Sequence, residues 1–454
     1  MAITKEISRL EHSRIKLTVT VDREEVRARY DETVSGYRKT LQIPGFRKGK
    51  VPTDVLERKL GDTLKGEVLG KIIESSLTGI MEDEGFPKEN HPLPYSTPEL
   101  EGEPSLDLAS DLSFSVVYDA MPPVTLGAWK GLEAEIPEAA LTDEDINREL
   151  EAIRERNAIV LDKDDDAPAE KGDVVTVNYA EISDSGELIE GSAREDFVFT
   201  LGSGHNIFHF DDEVLGMKKG ETRDIEKSYP DGFEDPALAG KTKKIRVSLT
   251  ALKEKNLPEL DDDLAQDVDE KFETLEDLKQ SLRDRMTRAL ENQIRVLKVN
   301  RILEKIMETT PLEIPESMIR VELDSRWRNF ARQYHTTVEQ MDAIMAVSGG
   351  TEGIKEQWRP DVIRALHSRL IVDALIRELG FDASEEELEA EYGKIAESGN
   401  LPLEDVKKYY SEDTAQTYLK EDIKEQKVFD LLIAENKFIS GPARNYLDLM
   451  ENNG

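Results

Sequence analysis

The sequence predicts a multidomain α+β protein in three parts: an N-terminal α+β domain, a middle domain of short antiparallel strands, and an all-helical C-terminal domain. Three observations support this. At 454 residues the chain exceeds the ~250–300 residues that one hydrophobic core usually serves. Apolar residues alternate with polar ones near the N-terminus and again between Val175 and Ala251, which is the period of half-buried strands. Beyond Pro258 the period changes to three or four residues and stays there, as in helices.

Aspartate and glutamate supply 96 residues against 60 lysines and arginines, giving a net charge of −36. Such acidity argues for solubility and against general DNA coating, so any contact with nucleic acid has to be local. There is no cysteine, hence no disulfide frame and no thiolate metal site. The start, Met1-Ala2-Ile3-Thr4-Lys5-Glu6-Ile7, lacks the apolar run of a signal peptide, and no run of some 18 apolar residues would span a membrane. A cytoplasmic protein is expected.

In chain order, Ile15, Leu17, Val19 and Val21 mark a strand, after which Asp22 and Glu25 form a capping box for a helix reaching Arg38 and Lys39. Thr53 opens a second helix with Leu56, Leu60, Leu64, Val68, Ile72 and Ile73 on its apolar face. Leu112, Phe114, Val116 and Tyr118 alternate again, and Met121-Pro122-Pro123 ends the first domain near Ala120. A connector follows, with a short strand at Leu132, Ala134 and Ile136, and a helix capped by Thr142 and Asp145 that carries Ile146, Leu150 and Ile153. The charge run Asp162 to Pro168 is expected to be a solvated linker, since the spaced ligands of a Ca²⁺ loop are missing. In the middle domain Val175, Val177 and Tyr179 form one strand face, Phe197 and Phe199 a second, and Ile245, Val247, Leu249 and Ala251 a third, separated by turns at Gly186, Gly202-Ser203-Gly204 and Gly220. Thr274 and Asp277 then cap a long helix ended by Pro311. Helical runs follow at Met318 to Tyr334, Val362 to Leu379, Glu385 to Ile395 and Tyr418 to Glu435, with no fixed repeat.

One stretch stands apart. No acid lies between Glu32 and Asp54, where about four would be expected from the composition. Within it, two prolines and two glycines in Ile43-Pro44-Gly45-Phe46-Arg47-Lys48-Gly49-Lys50-Val51-Pro52 force a tight loop. An aromatic among cations on such a tip suits a partner that is negative and partly apolar, such as a ribonucleoprotein. From the residues alone an ordinary solvated turn remains equally open.

The run Gly45-Phe46-Arg47-Lys48-Gly49-Lys50-Val51-Pro52 resembles the ribosome-docking signature of the trigger factor family of bacterial chaperones. The middle domain resembles an FK506-binding-type prolyl isomerase in its order of Gly172-Asp173-Val174, Leu201-Gly202-Ser203-Gly204, Gly216-Met217-Lys218-Lys219-Gly220-Glu221 and Leu238-Ala239-Gly240-Lys241. On this resemblance the domains are a ribosome-docking domain at 1–120, a connector packing on the helical domain at 121–160, an isomerase domain at 161–255, and a helical chaperone domain at 256–454. The resemblance implies docking through Gly45, Phe46, Arg47, Lys48, Gly49 and Lys50 to a protein and adjacent RNA of the large ribosomal subunit at the nascent-chain exit. Unfolded nascent chains are the implied clients, and a homodimer the implied free form.

An isomerase needs no nucleophile: a dry aromatic pocket favours the twisted amide over the resonance-stabilised planar one. The resemblance places Tyr179, Phe197, Ile207, Phe210 and Phe233 in that pocket and Glu190 near the substrate carbonyl. Ile189 and Ile245 stand where the family usually has aromatics, His209 replaces a glycine, and Phe208 replaces a proline common in trigger factors. Activity is therefore expected to be present but weakened. The spacing of these residues alone also fits a plain β core. His205 and His209 lack a third metal ligand, and no complete nucleotide-binding or nucleophile-elbow motif is present, so neither cofactor, metal nor ATP chemistry is expected. In the helical part, Trp327, Phe330 and Met345 are the chosen client-contacting residues, since methionines and aromatics adapt to varied partners. The competing expectation is a free prolyl isomerase whose flanking domains recruit unfolded substrates.

Overall fold

A computed structural model describes residues 3–40, 46, 51–235, 237–346 and 350–451. The chain divides into two compact units: residues up to Ile136 with Val296–Gly441, and Pro137–Arg295 with the residues from Pro442 onward.

The first unit opens with a four-stranded antiparallel sheet and two helices. β1 (Ile3–Arg9), β2 (Arg14–Val21), β3 (Glu99–Glu101) and β4 (Leu112–Asp119) are ordered β1-β2-β4-β3, and α1 (Arg23–Thr40) and α2 (Thr53–Met81) lie between β2 and β3 in the chain. Alternation puts Ile15, Leu17, Val19 and Val21 of β2 and Leu112, Phe114, Val116 and Tyr118 of β4 in one core with Val26, Tyr30 and Val34 of α1 and Leu64, Val68 and Ile72 of α2. Asp22 caps α1 through the Glu24 N–H at 2.7 Å, but Glu25 does not close the expected box: its carboxylate holds Arg29 one turn on. Between β1 and β2, His12 and Ser13 take left-handed φ angles of 57° and 58°. Glu313 holds this turn, accepting from the His12 N–H at 2.6 Å and from the Ser13 hydroxyl at 2.8 Å.

Next come β5 (Glu133–Glu138), α3 (Asp143–Arg156), with the expected Thr142–Asp145 capping box, and β6 (Ile159–Asp162). The β domain contains β7 (Val174–Glu181), β8 (Arg194–Thr200), the single turn α4 (Asp211–Val214), β9 (Thr222–Ser228) and β10 (Thr242–Asn256). Its strands run β6-β10-β7-β8, with β9 also paired to β10. A bulge in β10 between Leu249 and Ala251 shifts the alternation, so Leu252 is the buried residue where Ala251 was expected. The carboxylates of the acidic run are exposed, with Asp162 ending β6 and Asp165 and Asp166 pairing at the surface with Lys219 and Lys218.

Helices follow: α5 (Asp262–Val268), α6 (Leu275–Thr309), α7 (Glu316–Gln333), α8 (Val338–Met345), α9 (Gly350–Leu379), α10 (Glu385–Gly399), α11 (Leu403–Tyr409) and α12 (Asp413–Glu435). β11 (Lys437–Ala443), which pairs with β5, and α13 (Tyr446–Glu451) end the described chain. α3 buries Ile146, Leu150 and Ile153 against Ala265, Phe272, Leu278 and Leu282 in the second unit. In the first unit Ile302 and Ile306 of α6, Ile371 and Leu375 of α9, and Val428 and Leu432 of α12 share a core with Ala134. α9 begins twelve residues earlier than the predicted Val362, running through Pro360. Proline's fixed φ suits a helix, and both Pro360 and Glu356, whose carbonyl loses its donor, lie on the exposed side.

Leu432 is fully buried whereas Leu401 is mostly exposed. Leu432→Ala is expected to destabilise the helical core by about 2–5 kcal/mol in urea unfolding, and Leu401→Ala by less than ~0.5 kcal/mol. A pH dependence is expected at α10, where the Lys427 ammonium and the Ser384 N–H pull the Glu387 carboxyl down to about 2. Because the folded value lies below the ordinary 4.5, this contact contributes fully above that range and is lost as pH falls through about 2. Amide protection factors in α10, which correct for the slower intrinsic exchange at low pH, should therefore fall on acidification in the wild type, and Glu387→Gln should remove that part of the response.

Candidate functional site

Two regions gather the predicted site residues. In the first, α1 and α2 flank the basic loop. Phe46 is 38% exposed; Gly45, Arg47, Lys48, Gly49 and Lys50 lie outside the described residues. Just after them Val51 is fully buried beside Leu56, which fixes where the loop joins α2. The helices are also tied by polar contacts. Tyr30 donates to Glu57 at 3.4 Å, and the Tyr37 hydroxyl bonds to Glu67, whose other oxygen takes Lys71 at 2.6 Å. That bond raises the Tyr37 pKa above its ordinary value.

The second region is a cup of rings in the β domain. Tyr179 of β7 stands at its centre, with Phe197, Phe208 and Phe210 edge-on at 5.6, 5.7 and 5.4 Å between ring centres. Phe210 is fully buried and also meets Phe199 at 5.9 Å. Phe233 lies against Tyr229 at 4.8 Å and His209 at 5.2 Å. These contacts are the tilted and edge-to-face arrangements that ring quadrupoles favour. Burial raises the Tyr179 pKa, a rise that nearby Arg194 partly opposes. Burial, with help from Glu213 and Glu181, pushes Tyr229 up to about 12, so both phenols stay protonated at neutral pH. The Tyr229 hydroxyl donates to the Phe208 carbonyl at 2.9 Å, whereas that of Tyr179 has no hydrogen-bond partner among the described residues. An unengaged phenol within a ring cup can donate to a peptide carbonyl.

The other predicted residues take different places. Ile207 is 56% exposed, at the rim. Ile245 is fully buried within the β core, so its missing ring is a loss of core volume. Ile189 and Glu190 are exposed on the segment between β7 and β8, and Glu190 has no hydrogen bond or ion pair among the described residues. His209, at the glycine position, adopts φ of 48°, the left-handed region that favours glycine. Its carbonyl is held by the Lys227 ammonium.

Asn206 and Asp211, which sequence reasoning passed over, build the loop that delivers Ile207, Phe208 and Phe210. Both are buried. One Asp211 oxygen accepts from the Gly202 N–H at 2.7 Å and the Gly204 N–H at 3.3 Å, and the other from the Asn206 amide at 2.6 Å; the Asn206 oxygen in turn accepts from the Phe210 N–H at 2.9 Å. The only signal in the sequence is two polar residues flanking an apolar tip after Gly202-Ser203-Gly204.

In the helical region Trp327 is 2% exposed, stacked on Phe330 at 5.6 Å, with its indole N–H on Asp342 at 3.0 Å. Phe330 and Met345 are half-buried against the same cluster. Tyr334 and Ile344 are exposed apolar side chains beside it.

Profiles described as "Bacterial trigger factor protein (TF)" and its C-terminus match residues 1–153 and 274–434, and one described as "FKBP-type peptidyl-prolyl cis-trans isomerase" matches 165–252. A protein of Treponema denticola named "Trigger factor" is 40% identical over 99% of this chain and the whole of that protein. Proteins of the same name from Treponema pallidum and Borrelia turicatae are 36% and 33% identical over 99% and 97% of this chain, and 99% and 96% of their own.

Asp211→Ala would leave the buried Asn206 amide and the part-buried Gly202 and Gly204 N–H groups without their acceptor, so a loss of about 1–3 kcal/mol and faster amide exchange at Gly202 and Gly204 are expected, measured by urea unfolding and hydrogen exchange.

Proposed function

The chain belongs to the trigger factor family and carries an FKBP-type domain; from that premise we propose that it is an ATP-independent, ribosome-associated chaperone for nascent polypeptides in the cytoplasm. Phe46, Arg47 and Lys48, framed by Gly45, Gly49 and Lys50, dock it at the nascent-chain exit of the large subunit, on protein and adjacent ribosomal RNA. The observation that carries this reading is an exposed ring at the centre of a cationic segment on a protein of net charge −36. The acidic body is repelled by RNA while the tip is attracted, which confines contact to the loop.

The helical part shelters apolar client segments by weak, reversible contact, which delays aggregation of the emerging chain. With Trp327 turned inward as a support, the contact surface of its cluster falls to Phe330, Met345, Tyr334 and Ile344. In the β domain the ring cup takes a prolyl peptide bond. Tyr179, Phe197, Phe210 and Phe233 exclude water, Ile207 borders the entrance, and the free Tyr179 hydroxyl donates to the substrate carbonyl. Removing water penalises the charge-separated planar amide more than the twisted one, which lowers the ~18–20 kcal/mol rotation barrier. Every 1.36 kcal/mol gained is tenfold in rate. His209 and the apolar residues at 189 and 245 keep this activity below that of a pocket with its full set of rings.

Replacing Phe46, Arg47 and Lys48 together with alanine should abolish cosedimentation with ribosomes and leave turnover of a short proline peptide intact; retained cosedimentation would refute the docking role. Phe210→Ala should lower kcat/KM for that peptide by at least about tenfold, and an unchanged rate would remove the catalytic assignment.

A further inference from the structure

β6 is an edge strand of unusual composition. Lys253–Asn256 of β10 pair with it on one side, and among the described residues no strand pairs with the other. The ladder continues in the Lys163 N–H donating to the Leu252 carbonyl at 3.1 Å. By the two-residue alternation of an antiparallel pair, Ile159 and Leu161 turn their N–H and C=O groups toward β10, and Val160 and Asp162 turn theirs outward. The side chains are equally open: Ile159, Val160 and Leu161 are 63%, 43% and 53% exposed, and Leu257, just past β10, is exposed as well.

Proteins usually blunt such an edge with lysine, proline or a bulge, because it templates pairing with another chain. Here the three residues are aliphatic, and two of them are β-branched. The strand has only four residues, so an added strand gains few hydrogen bonds, and the contact stays weak and reversible.

We propose that the outer edge of β6 captures an extended segment of an unfolded polypeptide by strand addition, preferring an apolar core flanked by basic residues. This rests on the reading of the protein as a chaperone for unfolded chains and names one of its client sites. The charge preference follows from the run Asp162, Asp164, Asp165 and Asp166, all exposed at the exit of the strand. Asp162, Asp165 and Asp166 pair with Lys253, Lys219 and Lys218, and Asp164 makes no ion pair among the described residues, so it is the carboxylate that offers a cation its charge. A second copy of this chain fits the edge poorly, because two bodies of charge −36 repel.

The test uses the full-length protein and a fluorescein-labelled peptide of five alternating valines and threonines with two lysines at each end, read by anisotropy. Val160→Pro deletes an outward N–H and leaves the inward ladder in place; Ile159→Lys keeps the backbone and removes apolar surface while adding an opposing charge. Each is expected to raise Kd about tenfold, as is exchanging the peptide's lysines for glutamates, whereas Leu100→Ala, at an exposed position of β3, should leave Kd unchanged. Bound peptide should slow amide exchange at Val160 and Asp162. Equal binding by both β6 variants, protection confined to other elements, or no binding by the wild type would overturn the proposal, as would a wild-type dimer in sedimentation equilibrium that Val160→Pro dissolves. Suppression of aggregation of a denatured protein is measured in parallel. If that activity survives while β6 shows no capture, this inference fails and the chaperone reading stands.

Discussion

The helices on either side of Phe46 in the chain, α1 and α2, are fixed by their packing on the sheet formed by β2 and β4. The contact is apolar and closely interleaved: four residues of β2 and four of β4 meet Val26, Tyr30 and Val34 from one helix and Leu64, Val68 and Ile72 from the other. Burial of this kind is worth roughly 1.5–3 kcal/mol for each large side chain. The Tyr37–Glu67–Lys71 chain ties α1 to α2, and the buried Val51 anchors the start of α2. The same unit's Glu313 secures the strained turn at His12 and Ser13, linking the sheet to the helices that follow.

The β domain shows a comparable division between support and contact. Asn206 satisfies the buried Phe210 N–H and Asp211 the part-buried N–H groups of Gly202 and Gly204, and so they fix a loop whose side chains are mostly apolar. A cup built only of rings would have left those N–H groups unpaired, at a cost comparable to the gain from the rings. In the helical unit Trp327 plays the supporting part: its burial and its bond to Asp342 hold the more exposed neighbours in place.

Much of this was legible in the sequence because period and burial coincide. The strands at Ile15–Val21 and Leu112–Tyr118, the boxes at Thr142 and Thr274, the start of α2 and the ends of α6 follow from alternation, capping and proline. What was missed follows physical reasons as well. β1 and β6 bury few side chains and so show no alternation, and β11 is a single strand completing β5 at long range. The bulge in β10 reverses inward and outward at one residue, which no period can anticipate. α9 continues through Pro360 because the proline lies on its exposed side. Among site residues, Tyr179, Phe197, Phe210 and Phe233 cluster as the motif implied, but Trp327 is too well packed to meet a client, and Glu190 and Ile189 are solvent-facing. Asn206 and Asp211 gave no signal, since their importance lies in which backbone groups they reach.

The most direct measurement is a site-specific photo-cross-link. With a benzoyl-phenylalanine in place of Phe46, irradiation in the presence of ribosomes should join the chain to a component of the large subunit at the nascent-chain exit, and raising salt should suppress the product as phosphate contacts weaken. Cross-links confined to this chain itself, or an equal yield when the probe is moved to exposed Tyr418, would contradict a ribosome-facing tip.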